Sequence, residues 1–495
     1  MLTLIKNADY VALFDDEDTL LRHASVIIFE NIIVAVGEAE RLPKNEEECQ
    51  TWFNVNRRVV QSALTMKDPN RTMRDASLPP GSVRVIEAGG HLVMPGLVNV
   101  HHHFFQTLTR NVPGAQDAKL FDWLVFHYEI WKHLTPEAFR VSADVAIGEL
   151  LLSGCTATSD HLYLYPQNFP TGLIDEEIRA AQAAGIRFHP TRGSMSVSRK
   201  NGGLPPDSVV QDEETILRDC ERVIGAYHDN KPFAMVRVAL APCSPFSVSP
   251  DLMRETARMA EHYKVKIHTH LAETMDEDVY CRERFGRRPF EFCEDMGWIN
   301  ERAWFAHCVH LSPGEVERMA AAGAGVAHCP SANMRLGSGT APVPEMLARG
   351  VTVGLGVDGS ASNDSSNMFA EARMSLMAHR VKDGASALTA RQALRMGVEG
   401  GAKILGWGDV IGRIEIGWAA DLIGVDMRGI EYAGSLHDPL AALVLCGVHR
   451  PVGFSLVNGR QVVSGGRLTT IDEQETAEKA SQLSAGLLKS AGIRR

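Results

Sequence analysis

No C-x-x-C pair occurs among the nine cysteines of the 495-residue chain, and their number is odd. A disulfide framework is therefore a poor reading at this size and spacing, and a reducing, cytoplasmic setting is expected. Long apolar runs are missing too: no stretch reaches the roughly 18 residues of a membrane span. The first twenty residues, MLTLIKNADYVALFDDEDTL, lack a basic region followed by an apolar one, so no secretory leader is expected. Positive charge is scarce. Fifty Lys and Arg against 61 Asp and Glu give a net charge of −11, leaving no basic excess to displace counterions from a nucleic-acid backbone. H-E-x-x-H, G-x-S-x-G and Walker A sequences are absent, as is the P-C-x-x-C signature of cytidine-type deaminases. GLGVDG at 354–359 formally matches G-x-G-x-x-G, but it lies late in the chain and the helix that should follow is delayed by SASNDSSN. A nucleotide-dependent dehydrogenase thus has little behind it.

What remains is a chain long enough for a large barrel with an accessory domain, with 45% hydrophobic residues to fill a core. Short strand patterns open it at Leu2–Lys6, Tyr10–Phe14, Ser25–Glu30 and Ile32–Val36, and resume at Val83–Ile86 and His91–Met94. Residues 41–83 between them are polar, with one helical pattern around Trp52–Met66, and read as an insertion on the surface of that sheet. From Pro95 to about residue 410, eight strand-like runs alternate with helical patterns: Leu97–Val100, Thr156–Ser159, Ile186–His189, Met235–Ala241, Lys266–Thr269, Trp304–Ala306, Val326–His328 and Thr352–Gly356. That rhythm predicts a (β/α)8 TIM-like barrel, with a doubly wound sheet as the alternative. Strand character returns at Leu422–Val425, Gly453–Val457 and Gln461–Val463, the last two joined by Asn458-Gly459, a hairpin signal. The predicted organisation is a β-sandwich formed by both chain ends (1–94 and 411–475), a barrel over 95–410 and a helical tail over 476–495.

The strongest local chemistry is in PGLVNVHHHFFQTLTR. Alternation along a strand turns His101 and His103 the same way and His102 the other, so the first two can share an ion. KIHTHLAET repeats the spacing at His268 and His270 and adds Glu273; WFAHCVHLS ends on His307; VTVGLGVDGS places Asp358 after an apolar strand. Each piece has a bland reading, a core histidine or a helix cap. All four, however, fall at the C-terminal ends of predicted strands, where barrel enzymes carry their catalytic groups.

These blocks, with LLLSGCTATSDHLYLYP, TRGSMS, LAPCSPFSVSP and HCPSANMRLGSG, resemble the amidohydrolase superfamily, and within it the 8-oxoguanine deaminases of the ATZ/TRZ branch, over about residues 84–465. The resemblance implies one divalent ion, zinc or alternatively iron, on His101, His103, His270 and Asp358. It implies Glu273, His307 and Asp358 as catalytic groups: Glu273 protonating a ring nitrogen, Asp358 taking a proton from water and His307 steadying the attacking oxygen. The expected reaction is hydrolytic deamination of a small heterocycle, 8-oxoguanine to urate and ammonia. A hydroxyatrazine-type ethylaminohydrolase, a deaminase of isoxanthopterin, guanine or isocytosine, and a non-catalytic scaffold are the alternatives. Gln106, His161 and Arg192 are expected to bind the ring's polar edge. A homo-oligomer with no nucleic-acid or membrane partner is expected.

Overall fold

The computed structural model describes residues 1–73, 78–79, 81–447 and 450–493; parts of the expected insertion (74–77 and 80) and the last two residues of the expected tail lie outside the described residues. Eight parallel strands close into a barrel: β1 (Leu97–Asn99), β2 (Cys155–Leu162), β3 (Arg187–Ser194), β4 (Ala239–Pro242), β5 (Lys266–Leu271), β6 (Ala303–His307), β7 (Gly325–His328) and β8 (Thr352–Leu355). Leu355 pairs with Asn99 to complete the ring. The expected barrel is present, each strand overlapping the apolar run read for it. The strand expected at Met235–Ala241 begins only at Ala239; its earlier part makes a lone bridge from Val236 to Phe188.

Small residues of the barrel strands, Ala157, Ala239, Ala306 and Ala327 among them, pack in one buried cluster with Trp304 of β6 and Trp407. Outward side chains, such as Phe188 on β3, pack beneath the helical layer. Pro136–Leu152 is a typical member of that layer: Thr135 caps it through Ala138 N–H, Pro136 opens its first turn, and Ala143, Ala146, Ile147, Leu150 and Leu151 are buried. The C-terminal helix Glu473–Ser490, capped by Asp472, packs along it.

Both chain ends enter one nine-stranded sheet, in which His91–Pro95 lies between Leu2–Ala12 and Leu422–Asp426. The two strands expected at Leu2–Lys6 and Tyr10–Phe14 are a single strand with a bulge, the register shifting between Ile5 and Ala8 where Asn7 takes φ 59°. The sheet curls back on itself rather than ending: Ile33 N–H donates to the Trp418 carbonyl, Ala420 N–H to Asn31, and the Asn31 amide meets Asn458 Oδ1 at 2.7 Å. Ile5, Val26, Leu422 and Phe454 fill the inside of the curl. On its other face, helices Glu46–Val55 and Arg57–Thr65 bury Cys49, Phe53, Val60 and Leu64 against Leu2, Leu4, Ile27 and Phe29. The single helical pattern expected around Trp52–Met66 is thus two helices, split at Asn56, which caps the end of the first.

Candidate metal centre and catalytic pocket

The barrel strands deliver their polar residues at one rim. His101 and His103 follow β1, His161 is the penultimate residue of β2, His270 is on β5 and Glu273 just past it, His307 ends β6, and Asp358 follows β8. Several of these exits use left-handed backbone on residues other than glycine: Ala272 at φ 51°, His307 at 72°, Cys308 at 51° and Asp358 at 61°. Such conformations are costly for side-chain-bearing residues and persist where surrounding contacts hold them. One such contact is the buried Glu277 carboxylate, which accepts the Ala272 and Glu273 N–H groups at 2.9 and 2.8 Å and so fixes the turn that aims Glu273.

Backbone carbonyls set the proton positions on the imidazoles. A carbonyl can only accept, so His103 Nδ1–H donates to the His161 carbonyl (2.8 Å) and His270 Nδ1–H to the Cys243 carbonyl (2.6 Å). The Nε2 atoms of both rings then carry lone pairs, and they face each other at 3.1 Å. Asp358 Oδ1 lies 3.2 Å from His101 Nε2 and 3.3 Å from His103 Nε2. As a purely protonic network this cluster is frustrated. Burial would raise the Asp358 carboxyl, but hydrogen bonding to His101 and His103 outweighs it and holds the group well below the usual carboxylate range. The imidazoles, meanwhile, resist the proton: burial, then the charge of their neighbours, takes His270 down to about 3, and burial takes His101 well below its ordinary value. A divalent cation among these atoms satisfies every acceptor at once, including the buried His101 Nε2 beside Asp358 Oδ1. The donor set fits the ion.

Beside the cluster, Glu273 Oε2 is 3.6 Å from His307 Nε2. Burial, then the Asp358 charge, pushes the Glu273 carboxyl well above its ordinary value, favouring the protonated acid. His307 Nδ1–H donates to Asn333 Oδ1 at 2.8 Å, which leaves Nε2 as an acceptor toward the cleft. That cleft is lined by His103, His270, Glu273, His307 and Asp358, with Gln106 and Tyr163. Leu120, Trp123, Leu124, Phe246 and Leu336 complete its walls. Gln106 reaches it because position 359 is glycine: a Cβ there would stand 1.9 Å from Gln106 Oε1.

Two expected ring-binding residues do not line this cleft. His161 lies within the imidazole cluster, its Nε2–H donating to the Ala241 carbonyl at 2.9 Å, and its backbone N–H holds the His102 carbonyl at 2.7 Å. Arg192 is the clearer correction. Its guanidinium is fully buried, pairs with Asp219 at 2.6 Å and lies 3.9 Å over the Tyr165 ring. The pleat explains this, since Arg192 shares the outward parity of Phe188 and points into the helical layer. Arg192→Met should therefore act on stability. Asp219 keeps Arg222 Nε at 2.7 Å but loses one of its two cations, so a loss of about 1–3 kcal/mol is expected in chemical denaturation, while kcat/KM of the folded fraction stays at the parent value; a selective loss of kcat/KM at parent stability would return Arg192 to the site. Sequence reading missed Tyr163, Cys243, Phe246 and Trp123. Tyr163 had a signal, being two residues beyond His161 on the same side.

The Amidohydrolase family model matches residues 92–462. The chain belongs to the amidohydrolase family. Over 379 residues, 77% of this chain and 84% of the relative, it is 47% identical to the 8-oxoguanine deaminase of Pseudomonas aeruginosa. It is 37% identical over 408 residues to the hydroxydechloroatrazine ethylaminohydrolase of Pseudomonas sp. strain ADP, covering 80% of this amidohydrolase and 83% of that relative. Among solved structures, a mutant atrazine chlorohydrolase of Arthrobacter aurescens complexed with zinc and atraton superposes with a TM-score of 0.85 at 31% identity, over 97% of this chain and all (100%) of that one. Among the described residues of the amidohydrolase, no helix is long and apolar enough to cross a membrane.

Proposed function

We propose that this amidohydrolase is a hydrolytic deaminase of an amino-substituted nitrogen heterocycle, with 8-oxoguanine as substrate and urate and ammonia as products. The observation that carries the reading is the pairing of opposites in one small cleft: a carboxylate held ionised, Asp358, and a carboxyl pushed toward its acid form, Glu273, beside the carbonyl-anchored imidazoles of His103 and His270. Groups whose environments drive their pKa values apart are suited to separate base and acid roles. The similarity to an 8-oxoguanine deaminase supports the choice of ring.

His101, His103, His270 and Asp358 would hold the ion, for which we take zinc. When bound, it supplies a Lewis acid that brings water ionisation to about pH 7. Asp358 takes a proton from the attacking water, and Glu273 gives its own to the ring nitrogen next to the amino-bearing carbon, making that carbon electrophilic. His307 Nε2, an acceptor, takes a hydrogen bond from the remaining O–H of the incoming water and so steadies its oxygen. A C–O bond forms, the C–N bond breaks, the proton carried by Asp358 leaves with ammonia, and the adduct's remaining O–H proton returns to Glu273 as the ring carbonyl forms. The leucine, tryptophan and phenylalanine walls exclude water from the ring faces, and Gln106 offers an amide to the ring's polar edge.

Ammonia release measured across 8-oxoguanine, guanine, isocytosine, isoxanthopterin and hydroxyatrazine tests the assignment. The highest kcat/KM should fall on 8-oxoguanine; ethylamine release from hydroxyatrazine as the best reaction would replace it. Metal content should be about one equivalent per chain, because β4 leads into Cys243 and supplies no lysine to bridge a second ion. Elemental analysis giving two equivalents contradicts the mononuclear site, and the same measurement separates zinc from iron.

A further inference from the structure

One layer below the proposed ion, the hydrogen bonds close a circuit that includes two residues with no role assigned above. His101 Nδ1 meets His268 Nε2 at 2.8 Å, and His268 Nδ1 meets the Trp304 carbonyl at 2.8 Å. Trp304 then returns to β1 through its indole N–H, which donates to the Val100 carbonyl at 3.0 Å. The residue before His101 is thus held by the side chain of Trp304, while the His101 ring is held by a histidine hanging from the backbone of Trp304. All three side chains are fully buried, and the His268 ring stacks on the indole at 4.4 Å with 15° between planes.

We propose that His268 is a positioning residue that dictates the tautomer and orientation in which His101 meets the ion. The logic is one of donors and acceptors. A carbonyl oxygen accepts only, so the Trp304 bond requires a proton on His268 Nδ1; a neutral imidazole carries one proton, so His268 Nε2 is an acceptor; His101 must therefore donate from Nδ1. The only nitrogen left on His101 is Nε2, with its lone pair beside His103 and Asp358. His103 and His270 obtain the same result directly from carbonyls, but His101 lies too deep in the barrel mouth to have one and borrows Trp304's through a second imidazole. The stack on Trp304 removes the rotational freedom that would let His268 flip and offer a donor instead. Sequence parity agrees: His268 faces inward like His270 but two residues earlier on β5, one layer deeper.

This inference rests on the reading that His101 ligates a divalent ion, and its test separates the two. Zinc affinity of the full-length protein is measured by competition with a chromophoric chelator for the parent, His268→Gln and His268→Met. Gln and Met have similar length and volume, but only Gln presents an acceptor where Nε2 stood. Removing an outer-shell partner of a metal-ligating histidine typically weakens binding 10–100-fold; that loss is expected for His268→Met, with His268→Gln close to the parent and both folded by circular dichroism. Equal affinities for the two variants overturn the proposal, because a merely space-filling role does not distinguish them. A parent chain that binds no divalent ion overturns the underlying ligand reading and the proposal with it. Should His268→Met fail to fold, 15N-histidine NMR of the parent gives an independent answer: His101 and His268 both protonated at Nδ1 support the relay, and a proton on Nε2 of either refutes it.

Discussion

Glu273→Gln should leave zinc content and thermal stability near the parent values and lower kcat by about 10²–10⁴, the usual contribution of a positioned acid or base. Gln keeps the volume and one hydrogen-bonding amide in the turn clamped by Glu277, but it has no proton to give a ring nitrogen. The pH profile carries the sign. Because burial and the Asp358 charge raise the Glu273 carboxyl, its acid form survives to higher pH than an ordinary glutamate's; activity should be present below that raised value and lost as pH climbs through it. The alkaline limb of kcat/KM should therefore vanish from the residual activity of the Gln variant. A Glu273→Gln protein with parent kcat, or one that retains the alkaline limb, would remove Glu273 as the acid.

His103→Ala should have the second large effect, through the ion rather than through a proton. Its ring supplies one of three imidazole lone pairs, oriented by the His161 carbonyl, and also abuts Asp358 and His270. With it gone, the two remaining imidazoles and one carboxylate should retain well under a tenth of an equivalent of zinc after dialysis against chelator, a loss at least as large as the 10–100-fold expected of an outer-shell partner. Deamination should fall to the background of the assay. Near-stoichiometric zinc in His103→Ala by elemental analysis would show that the ion sits elsewhere.

Parity explains most of what could be read before the fold was known. His101 and His103 separate from His102 by alternation alone, and in the structure His102 indeed turns away, to Ser366 Oγ at 3.0 Å. Glu273, His307 and Asp358 were legible because each closes an apolar run, which in a parallel barrel means the same rim. The same rule, followed further, would have corrected Arg192. The strand read as Ile186–His189 extends to Ser194, and on that longer strand an arginine of Phe188's parity must point outward. Its extent was hidden because His-Pro-Thr-Arg-Gly looks like a loop, and a proline that starves the ladder of a donor is usually a terminator. Trp123 and Leu120 were beyond any such argument: they belong to the helix Leu120–Trp131, and nothing local tells a helix which rim it roofs. His268 was seen as a partner of His270 by spacing, but its bond to His101 joins positions 167 residues apart, a pairing that only closure of the barrel creates.

The pairing of Pro95 with Leu422 has a bearing on how the chain is made. At about 5–20 residues per second, the strand His91–Pro95 leaves the ribosome roughly 15–65 seconds before its neighbour exists. Throughout that interval the barrel strands can assemble in order, each beside its predecessor, while Val93, Val26 and Ile5 have no Leu422 or Phe454 to cover them. An apolar sheet edge waiting that long is an invitation to intermolecular pairing. The stage at which this protein is most exposed to aggregation is thus set by the sheet joining its ends and not by the barrel that does the chemistry.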